Sequence, residues 1–280
     1  MVVRDKIVAR PRVHVESIVP EDFVDLFWRV FFSDKNRGVN VERHFPWIIS
    51  KESKHWCVLL KSDEGLLGGL IVKPSNFTDA MRKISLGSIG LVCILPEFRG
   101  QGCAQAMLDM AIRESHQRQY DALTLWTSKH AVYRKSGFML CDELLLGTVE
   151  MYAVDKEAAP PSVLVSAFPE GLGMPPFAVN GHLLRFKKAE VLVVQNNCFE
   201  YTLLRWSGEI PDVIAILEQS LPTCWYLNAR HDNELVGKLR ERGARVSLRP
   251  AALQMWKVLN PKYNLNDLKQ IAKFDVVDRI

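Results

Sequence analysis

Hydrophobic positions along the first third of the chain recur at two spacings, which predict strands and a helix. Residues 13–19 largely alternate apolar and polar side chains and predict a strand, whereas residues 20–32 repeat apolar positions at helical spacing behind a proline and two acidic residues. Two apolar runs, 55–60 and 65–72, flank the polar sequence KSDE and predict a hairpin. Residues 88–95 are apolar on both faces, so we expect a central strand that is covered on both sides.

The alternation of strands and helices continues through the middle of the chain. Residues 103–119 place apolar side chains on one stripe of a helix, and residues 122–127 predict the next strand. A short helix over 129–136 ends at Gly137, and 138–154 supplies further strand material. Strands that alternate with helices and are flanked by antiparallel pieces predict an α/β fold, built on a mixed sheet with both faces covered.

The second half of the chain repeats the same order of elements. A stretch rich in proline and glycine, 155–176, predicts a linker. Beyond it the pattern predicts strand, helix, strand, helix and strand material at 200–206, 211–221, 223–229, 233–242 and 245–259. We interpret this order as two tandem copies of one fold, with a domain over 1–155, a linker over 156–177 and a diverged copy over 178–280. The alternative is that two common α/β patterns are similar by chance.

Composition and charge narrow the classes of function. The 280 residues are 48% hydrophobic and 24% charged, which is a globular balance, and the net charge of +4 does not indicate a nucleic-acid binder. None of the six cysteines forms a CxxC pair, so we expect free thiols in a reducing compartment. The N-terminal residues lack the apolar core of a secretory signal, and no apolar run is long enough to span a bilayer. We therefore expect a cytoplasmic protein with no membrane or nucleic-acid partner.

The strongest chemical signal lies where the predicted central strand passes into the following helix. Pro96 has no N–H to donate and favours a break in strand pairing. Gly100 and Gly102 allow backbone N–H groups to approach an anion closely, and Ala104 keeps the first helical turn small. Arg99 adds a positive charge next to a helix N-terminus, which itself favours phosphate. The junction therefore predicts a site for a phosphate or pyrophosphate group.

Two common phosphate motifs do not fit this junction, and a third does. The GxxxxGK[ST] loop is absent, and GxGxxG fails because Gln105 stands where its last glycine would be. The junction instead resembles the pyrophosphate loop of the GNAT acetyltransferase superfamily, Q/R-x-x-G-x-G/A, through Arg99, Gly102 and Ala104. A second motif of that family, a tyrosine on the next short helix just before Gly-Phe, is matched by Tyr133 in YRKSGF.

This resemblance implies a GNAT fold and acetyl-CoA as cosubstrate. It implies that acetyl passes directly to the amine of a small molecule or peptide in a ternary complex, with no metal. A tandem layout with a degenerate second copy is similar to mycothiol synthase and the Eis-type acetyltransferases. The residues that the resemblance assigns to cofactor binding are Val92, Cys93, Ile94, Arg99, Gly100, Gln101, Gly102, Cys103 and Ala104. The backbone of the first three would meet the acetyl carbonyl, and Tyr133 would be the catalytic acid toward the departing thiolate.

Several assignments stay open at the level of sequence. The general base is Glu52, His44, His55, His130 or a chain of waters. Many relatives carry an asparagine seven residues before the tyrosine, where this chain has Trp126. These gaps leave a non-catalytic acyl-CoA sensor or interaction module as the alternative to an enzyme. A covalent acetyl-cysteine at Cys93 is the less favoured route, since a small buried side chain explains that residue.

Overall fold

The structure, a computed structural model, describes residues 11–50, 52–151, 162–230 and 232–279. Parts of the predicted N-terminal domain (1–10, 51 and 152–155), of the predicted linker (156–161) and of the second copy (231 and 280) lie outside the described residues. In the first half the elements are β1 (Arg12–Glu16), α1 (Glu21–Phe31), α2 (Val41–His44), α3 (Pro46–Ile49), β2 (Trp56–Ser62), β3 (Gly65–Thr78), β4 (Lys83–Ile94), α4 (Cys103–Gln117), β5 (Ala122–Trp126), α5 (His130–Arg134), β6 (Met139–Leu140) and β7 (Leu144–Glu150).

The second half repeats the order of strands and central helices without counterparts of α1, α2 and α3, and it ends in an additional helix. Its elements are β8 (Leu164–Ala167), β9 (Asn180–Phe186), β10 (Ala189–Gln195), β11 (Tyr201–Ser207), α6 (Ile210–Ser220), β12 (Cys224–Arg230), α7 (Glu234–Glu241), β13 (Arg245–Pro250), β14 (Gln254–Val258) and α8 (Leu265–Ile271). β8 lies inside the stretch that the sequence predicted as a linker, where it pairs antiparallel with β9. Each predicted strand and helix of the repeat has a counterpart at its expected place.

Within the described residues the strands form two seven-stranded mixed sheets, in the orders β1-β2-β3-β4-β5-β14-β6 and β13-β7-β12-β11-β10-β9-β8. In each sheet one central pair is parallel, β4 with β5 and β11 with β12, because a helix crosses between its members. The predicted mixed α/β fold with two tandem copies is confirmed. Each copy, however, gives one strand to the other: β7 lies between β12 and β13, and β14 lies between β5 and β6.

The two exchanged strands cross at a polar junction. The carboxylate of Asp142 accepts hydrogen bonds from the backbone N–H groups of Leu144, Leu253 and Gln254, at 3.0, 2.8 and 3.0 Å. The neighbouring Glu143 is ion-paired with Arg230 and with Lys269. These bonds join the segment that leaves the first sheet before β7 to the segment that enters it before β14. They therefore fix the point at which the two segments cross.

Helices cover the first sheet from opposite faces, and this arrangement positions the site. α4 packs on one face, against a cluster that includes Val92 and Ile94. α1 packs on the other face, against a cluster that includes Leu91 and Cys93. Alternate residues of β4 therefore point to different helices, as strand geometry requires. In the described part of the chain no helix is both long and apolar enough to cross a membrane.

Candidate active site

The first sheet opens between its two central parallel strands. β4 pairs with β5 only from Leu86 to Ile89, although β4 continues to Ile94. Just beyond the last pair, the register of β4 against β3 shifts, and Leu91 adopts a left-handed conformation with φ of 51°. A non-glycine residue in this region costs about 1–3 kcal/mol, so the bulge is held by its surroundings. The result is a gap whose edge is the backbone of residues 90–94.

A cavity of about 560 Å³ passes through this gap. On the α4 side it is lined by Ala104 and Tyr133, and on the α1 side by Phe31 and Arg37. Of the residues predicted as site residues, six line this cavity: Val92, Cys93, Ile94, Arg99, Ala104 and Tyr133. The other four, Gly100, Gln101, Gly102 and Cys103, complete the loop that leads from the cavity into α4.

The loop before α4 exposes backbone donors toward open space. Gly100 and Gly102 have φ of 78° and 80°, and a Cβ atom at either position would meet no atom within 4 Å. These glycines are therefore not needed for packing within the chain. The first helical bond runs from the N–H of Ala106 to the carbonyl of Gly102, which leaves the N–H groups of Cys103 and Ala104 without a partner in the helix.

Arg99 and Gln101 hold the loop to the end of β4. Arg99 donates from Nε to the carbonyl of Ile94 at 3.0 Å, and Gln101 donates from Nε2 to the carbonyl of Glu97 at 2.8 Å. The first turn of α4 contains no acidic residue. A doubly charged pyrophosphate thus fits the loop, since it would find free N–H groups, room and a guanidinium at a helix N-terminus.

Tyr133 is placed by α5 at the α4 side of the gap. Its ring packs edge-on against Phe138 at 6.2 Å between centroids, and the side chain is only 9% exposed. α5 is tied to α4 by a hydrogen bond of 2.9 Å from Gln105 to Ser136. Burial raises the pKa of Tyr133 to about 12, so the phenol keeps its proton at neutral pH and can donate a hydrogen bond.

Trp126 stands in the cavity wall where many relatives have an asparagine. Its ring packs edge-on against Phe274, with centroids 5.3 Å apart. Its indole N–H is buried and has no hydrogen-bond partner among the described residues. A buried donor without a partner costs about 1–3 kcal/mol.

None of the four side chains considered as general base lines the cavity. His44 is occupied at both nitrogens: its Nε2 accepts from the N–H of Val39 at 2.9 Å, and its Nδ1 lies 3.0 Å from the carbonyl of Met174. Burial lowers the pKa of His44 and of His55, and His55 bonds to Ser53 instead. His130 bonds to the carbonyl of Ala252 at 2.9 Å. Within the described residues, the cavity lining contains no carboxylate and no imidazole.

Cys93 lines the cavity on the α1 side of the gap and is 4% exposed. Burial raises the pKa of its thiol to about 12, so very little thiolate exists at neutral pH. This favours the role of a small apolar side chain over that of a nucleophile.

Three residues that matter for the site were not recognised from the sequence as site residues. Leu91 makes the bulge, Trp126 supplies an unpaired donor, and Arg37 brings a cation from the loop after α1. The sequence carries no signal for the bulge, because leucine gives no indication of a left-handed backbone. Arg37 lies far from the motif along the chain and reaches the cavity only through the packing of α1.

Comparisons with known proteins agree with this geometry. Residues 20–141 match the family of acetyltransferase (GNAT) domains. An uncharacterized N-acetyltransferase of Archaeoglobus fulgidus is 24% identical over 133 residues, which cover 44% of this chain and 88% of that protein.

Solved structures resemble both halves of the chain together. A GCN5-related N-acetyltransferase from Kribbella flavida superposes with a TM-score of 0.63 at 12% identity, covering 91% of this chain and 73% of that one. Eis1 from Mycobacterium abscessus gives 0.58 at 13% identity, covering 88% and 73%. A tandem GNAT protein from the clavulanic acid biosynthesis pathway gives 0.53 at 8% identity, covering 89% and 98%. At these identities the likeness is one of fold.

Proposed function

Since the chain belongs to the GNAT superfamily in a tandem layout, we propose that it is an acetyl-CoA-dependent N-acetyltransferase whose catalytic site lies in the first copy. The observation that carries the proposal is the single cavity through the gap in the first sheet. It brings the glycine loop, the bulged part of β4 and Tyr133 to one place.

The backbone of β4 is suited to bind the thioester carbonyl. The N–H of Leu95 donates to the carbonyl of Leu67 on β3, so the N–H of the preceding residue, Ile94, points away from β3 and toward the gap. The contact of Arg99 with the Ile94 carbonyl supports the same direction. Two-residue alternation extends it to Val92. Donors fixed at the gap would stabilise the negative charge that develops on the carbonyl oxygen.

Proton movements complete the reaction that we propose. Acetyl-CoA supplies an activated acyl group; the amine nitrogen bonds to the acetyl carbon while the carbon–sulfur bond breaks. The amine loses one proton, and the sulfur gains one. Tyr133, with a pKa of about 12, donates a hydrogen bond to the departing sulfur. Because no carboxylate or imidazole of the described residues lines the cavity, we assign the amine proton to water.

The absence of such a base from the lining is also the observation that favours a second candidate, a non-catalytic acyl-CoA sensor. A sensor would bind the cofactor through the same loop and transfer nothing. We favour the enzyme, because a sensor has no use for a buried tyrosine at the gap.

We further propose the domain roles predicted from the sequence: residues 1–155 form the catalytic domain, 156–177 a linker and 178–280 a degenerate copy. The exchange of β7 and β14 means that the catalytic sheet is complete only when the second copy is present. The second copy therefore contributes to the first structurally even if it performs no chemistry.

Calorimetric titration with coenzyme A tests the cofactor site directly. We expect one binding site per chain, and a strong loss of affinity in Arg99→Glu, which replaces the cation beside the loop with an anion. Arg113→Glu makes the same change of charge at an exposed position of α4 away from the loop and is the matched control. Wild-type protein without any binding would refute the proposal. A panel of amines with acetyl-CoA then separates enzyme from sensor, because a sensor releases no coenzyme A with any of them.

A further inference from the structure

The α1 side of the cavity has a distinct composition. Its wall is formed by the end of α1 and the loop after it, with the apolar side chains of Phe31, Phe32 and Pro176 and the cation Arg37. This wall faces the gap from the side opposite the glycine loop, since α1 and α4 cover opposite faces of the sheet. If the acyl carrier enters from the α4 side, the acceptor enters here.

Arg37 is held in place without a counter-ion. Its Nε donates to the carbonyl of Phe31 at 2.6 Å, and its guanidinium carbon lies 5.8 Å from the centre of the Phe32 ring. These contacts fix the plane of the guanidinium, and the side chain is half-buried. No described carboxylate forms an ion pair with it. The terminal nitrogens are thus free to bind an anion in the bidentate manner that arginine favours.

The charges of the cavity lining also favour a ligand with an anionic group on the α1 side. The lining contains three fixed cations, Arg37, Arg99 and Lys129, and no acidic side chain of the described residues. The pyrophosphate of the cosubstrate accounts for Arg99 at the loop. A plain cationic amine would meet only repulsion on the α1 side, whereas an amine with its own negative group would be attracted there and paired.

We propose that the acceptor is a small amine that also carries a carboxylate or phosphate, and that Arg37 binds this anionic group as the specificity-determining residue. The inference rests on the proposed N-acetyltransferase activity. The anionic group does not take part in the acetyl transfer; it sets the position of the amine in front of the thioester. The apolar wall favours an acceptor with a hydrocarbon body between or beside its two polar groups.

Matched pairs of acceptors test this inference on the full chain. L-leucine is compared with L-leucinamide and 3-methylbutylamine, and O-phosphoethanolamine with ethanolamine, by the release of coenzyme A from acetyl-CoA. The two sets distinguish carboxylate from phosphate. We expect at least one anionic member to exceed its neutral partners in kcat/KM by about tenfold or more, mainly through KM.

Variants at Arg37 separate recognition from folding. Arg37→Gln should lower kcat/KM for the anionic member far more than for its neutral partner, so that the preference is lost, while Arg37→Lys should restore part of the preference. Lys35 lies in the same loop but does not line the cavity, so Lys35→Gln should keep the preference for the anionic member. Coenzyme A titration of each variant shows that the first sheet is intact.

Binding of N-acetyl-L-leucine and N-acetyl-leucinamide to the complex with coenzyme A provides a readout that needs no turnover. The inference is overturned if neutral amines react as well as their anionic partners, or if neither anionic amines nor N-acetyl-L-leucine are favoured while coenzyme A binds. If neutral amines react, the proposed function survives; if no amine reacts while coenzyme A binds, the sensor replaces the enzyme. Failure to bind coenzyme A would instead refute the proposed function itself.

Discussion

The two strand–turn–helix junctions, β4 to α4 and β11 to α6, have the same backbone plan and different contents. β11 also pairs with its parallel neighbour over only two residues, and its register against β10 shifts where the bulge of β4 has its counterpart. In the first copy the turn glycines face open space, whereas a Cβ on Gly208 would lie 2.6 Å from the Cα of Ala189. The glycines of one junction leave open space beside the backbone, whereas the glycine of the other is needed for packing within the chain.

Charge separates the two junctions further. α6 begins behind Glu209, contains Pro211 in its first turn and has Asp212 ion-paired to Lys187 at 2.7 Å. The cavity beside it, of about 660 Å³, is lined by three glutamates, Glu209 among them, and by two cations, Lys238 and Arg242. The helix N-terminus is thus already supplied with carboxylates, and a proline removes one of its donors. A fold can therefore keep the gap and the bulge of an acyl-CoA site while losing the chemistry that binds the anion.

The largest expected effect concerns the exchanged strands, on which both copies depend. A Cβ at Gly147 of β7 would lie 1.8 Å from the carbonyl oxygen of Ser247 on β13. We expect Gly147→Ala to lower the free energy of unfolding by about 3 kcal/mol, as overpacking does. Gly237→Ala in α7 has no atom within 4 Å of the new methyl group and should raise stability by about 0.5–1 kcal/mol. Urea unfolding measures both, and equal behaviour of the two variants would contradict the exchange.

The next largest effect concerns coenzyme A binding at the two junctions. Gly102→Glu brings a carboxylate to the loop and forces a left-handed conformation on a side-chain-bearing residue. We expect the affinity for coenzyme A to fall by about 100-fold. Glu209→Gln removes a charge at the second junction and should change neither affinity nor the stoichiometry of one. Calorimetric titration of both variants with coenzyme A measures affinity and stoichiometry. A second coenzyme A site in the wild-type protein would contradict the proposed difference between the copies.

Tyr133 on α5 and Leu239 on α7 occupy corresponding positions, each four residues before a glycine. Tyr133→Phe tests what the tyrosine adds to the first copy. We expect kcat to fall about tenfold through loss of one hydrogen bond to a developing charge, with little change in the affinity for acetyl-CoA. Because the pKa of Tyr133 is about 12, wild-type activity should show no loss from its ionisation between pH 6 and 10. A steady-state pH profile of both proteins provides the measurement. An unchanged kcat in the variant would exclude the role.

The smallest effect concerns the contact between the two halves at His44. Burial lowers the pKa of His44 below the value of about 6.5 that it has when unfolded, so protonation favours the unfolded chain. The stability that the neutral, buried imidazole contributes is therefore fully present above pH 6.5 and is lost progressively as the pH falls below it. We expect a lower Tm at pH 5.5 than at pH 7.5. His44→Gln should flatten this dependence, whereas the exposed His14→Gln should retain it.

The sequence predicted much of the fold because its signals are local. The apolar stripe of α4, the alternation in β1 and the left-handed Gly137 after α5 each follow from residues within one turn or one strand. The glycine loop and Tyr133 were found for the same reason, since a phosphate site at a helix N-terminus depends on a few adjacent residues. The short strand β8 was not predicted, because its four residues carry too weak a pattern in a stretch rich in proline and glycine.

Which strand joins which sheet depended on contacts that no local pattern records. β7 and β14 are both short strands with several hydrophobic residues, and neither carries a local signal for the sheet that it joins. The choice is made by the crossing at Asp142 and by the close approach that Gly147 permits, both of which join residues about a hundred positions apart. The left-handed Leu91 likewise exists only because the assembled sheet holds it.

The sequence by itself determined the repeated order of strands and helices and an Arg-Gly-x-Gly junction in one copy only. These features rest on propensity, periodicity and the chemistry of neighbouring residues. Tertiary structure alone decided the exchange of strands, the gap through which a cavity passes, and the meeting of Arg37, Trp126 and Tyr133 at that cavity. The physical reason is that burial and long-range pairing, rather than local preference, determine where distant segments meet.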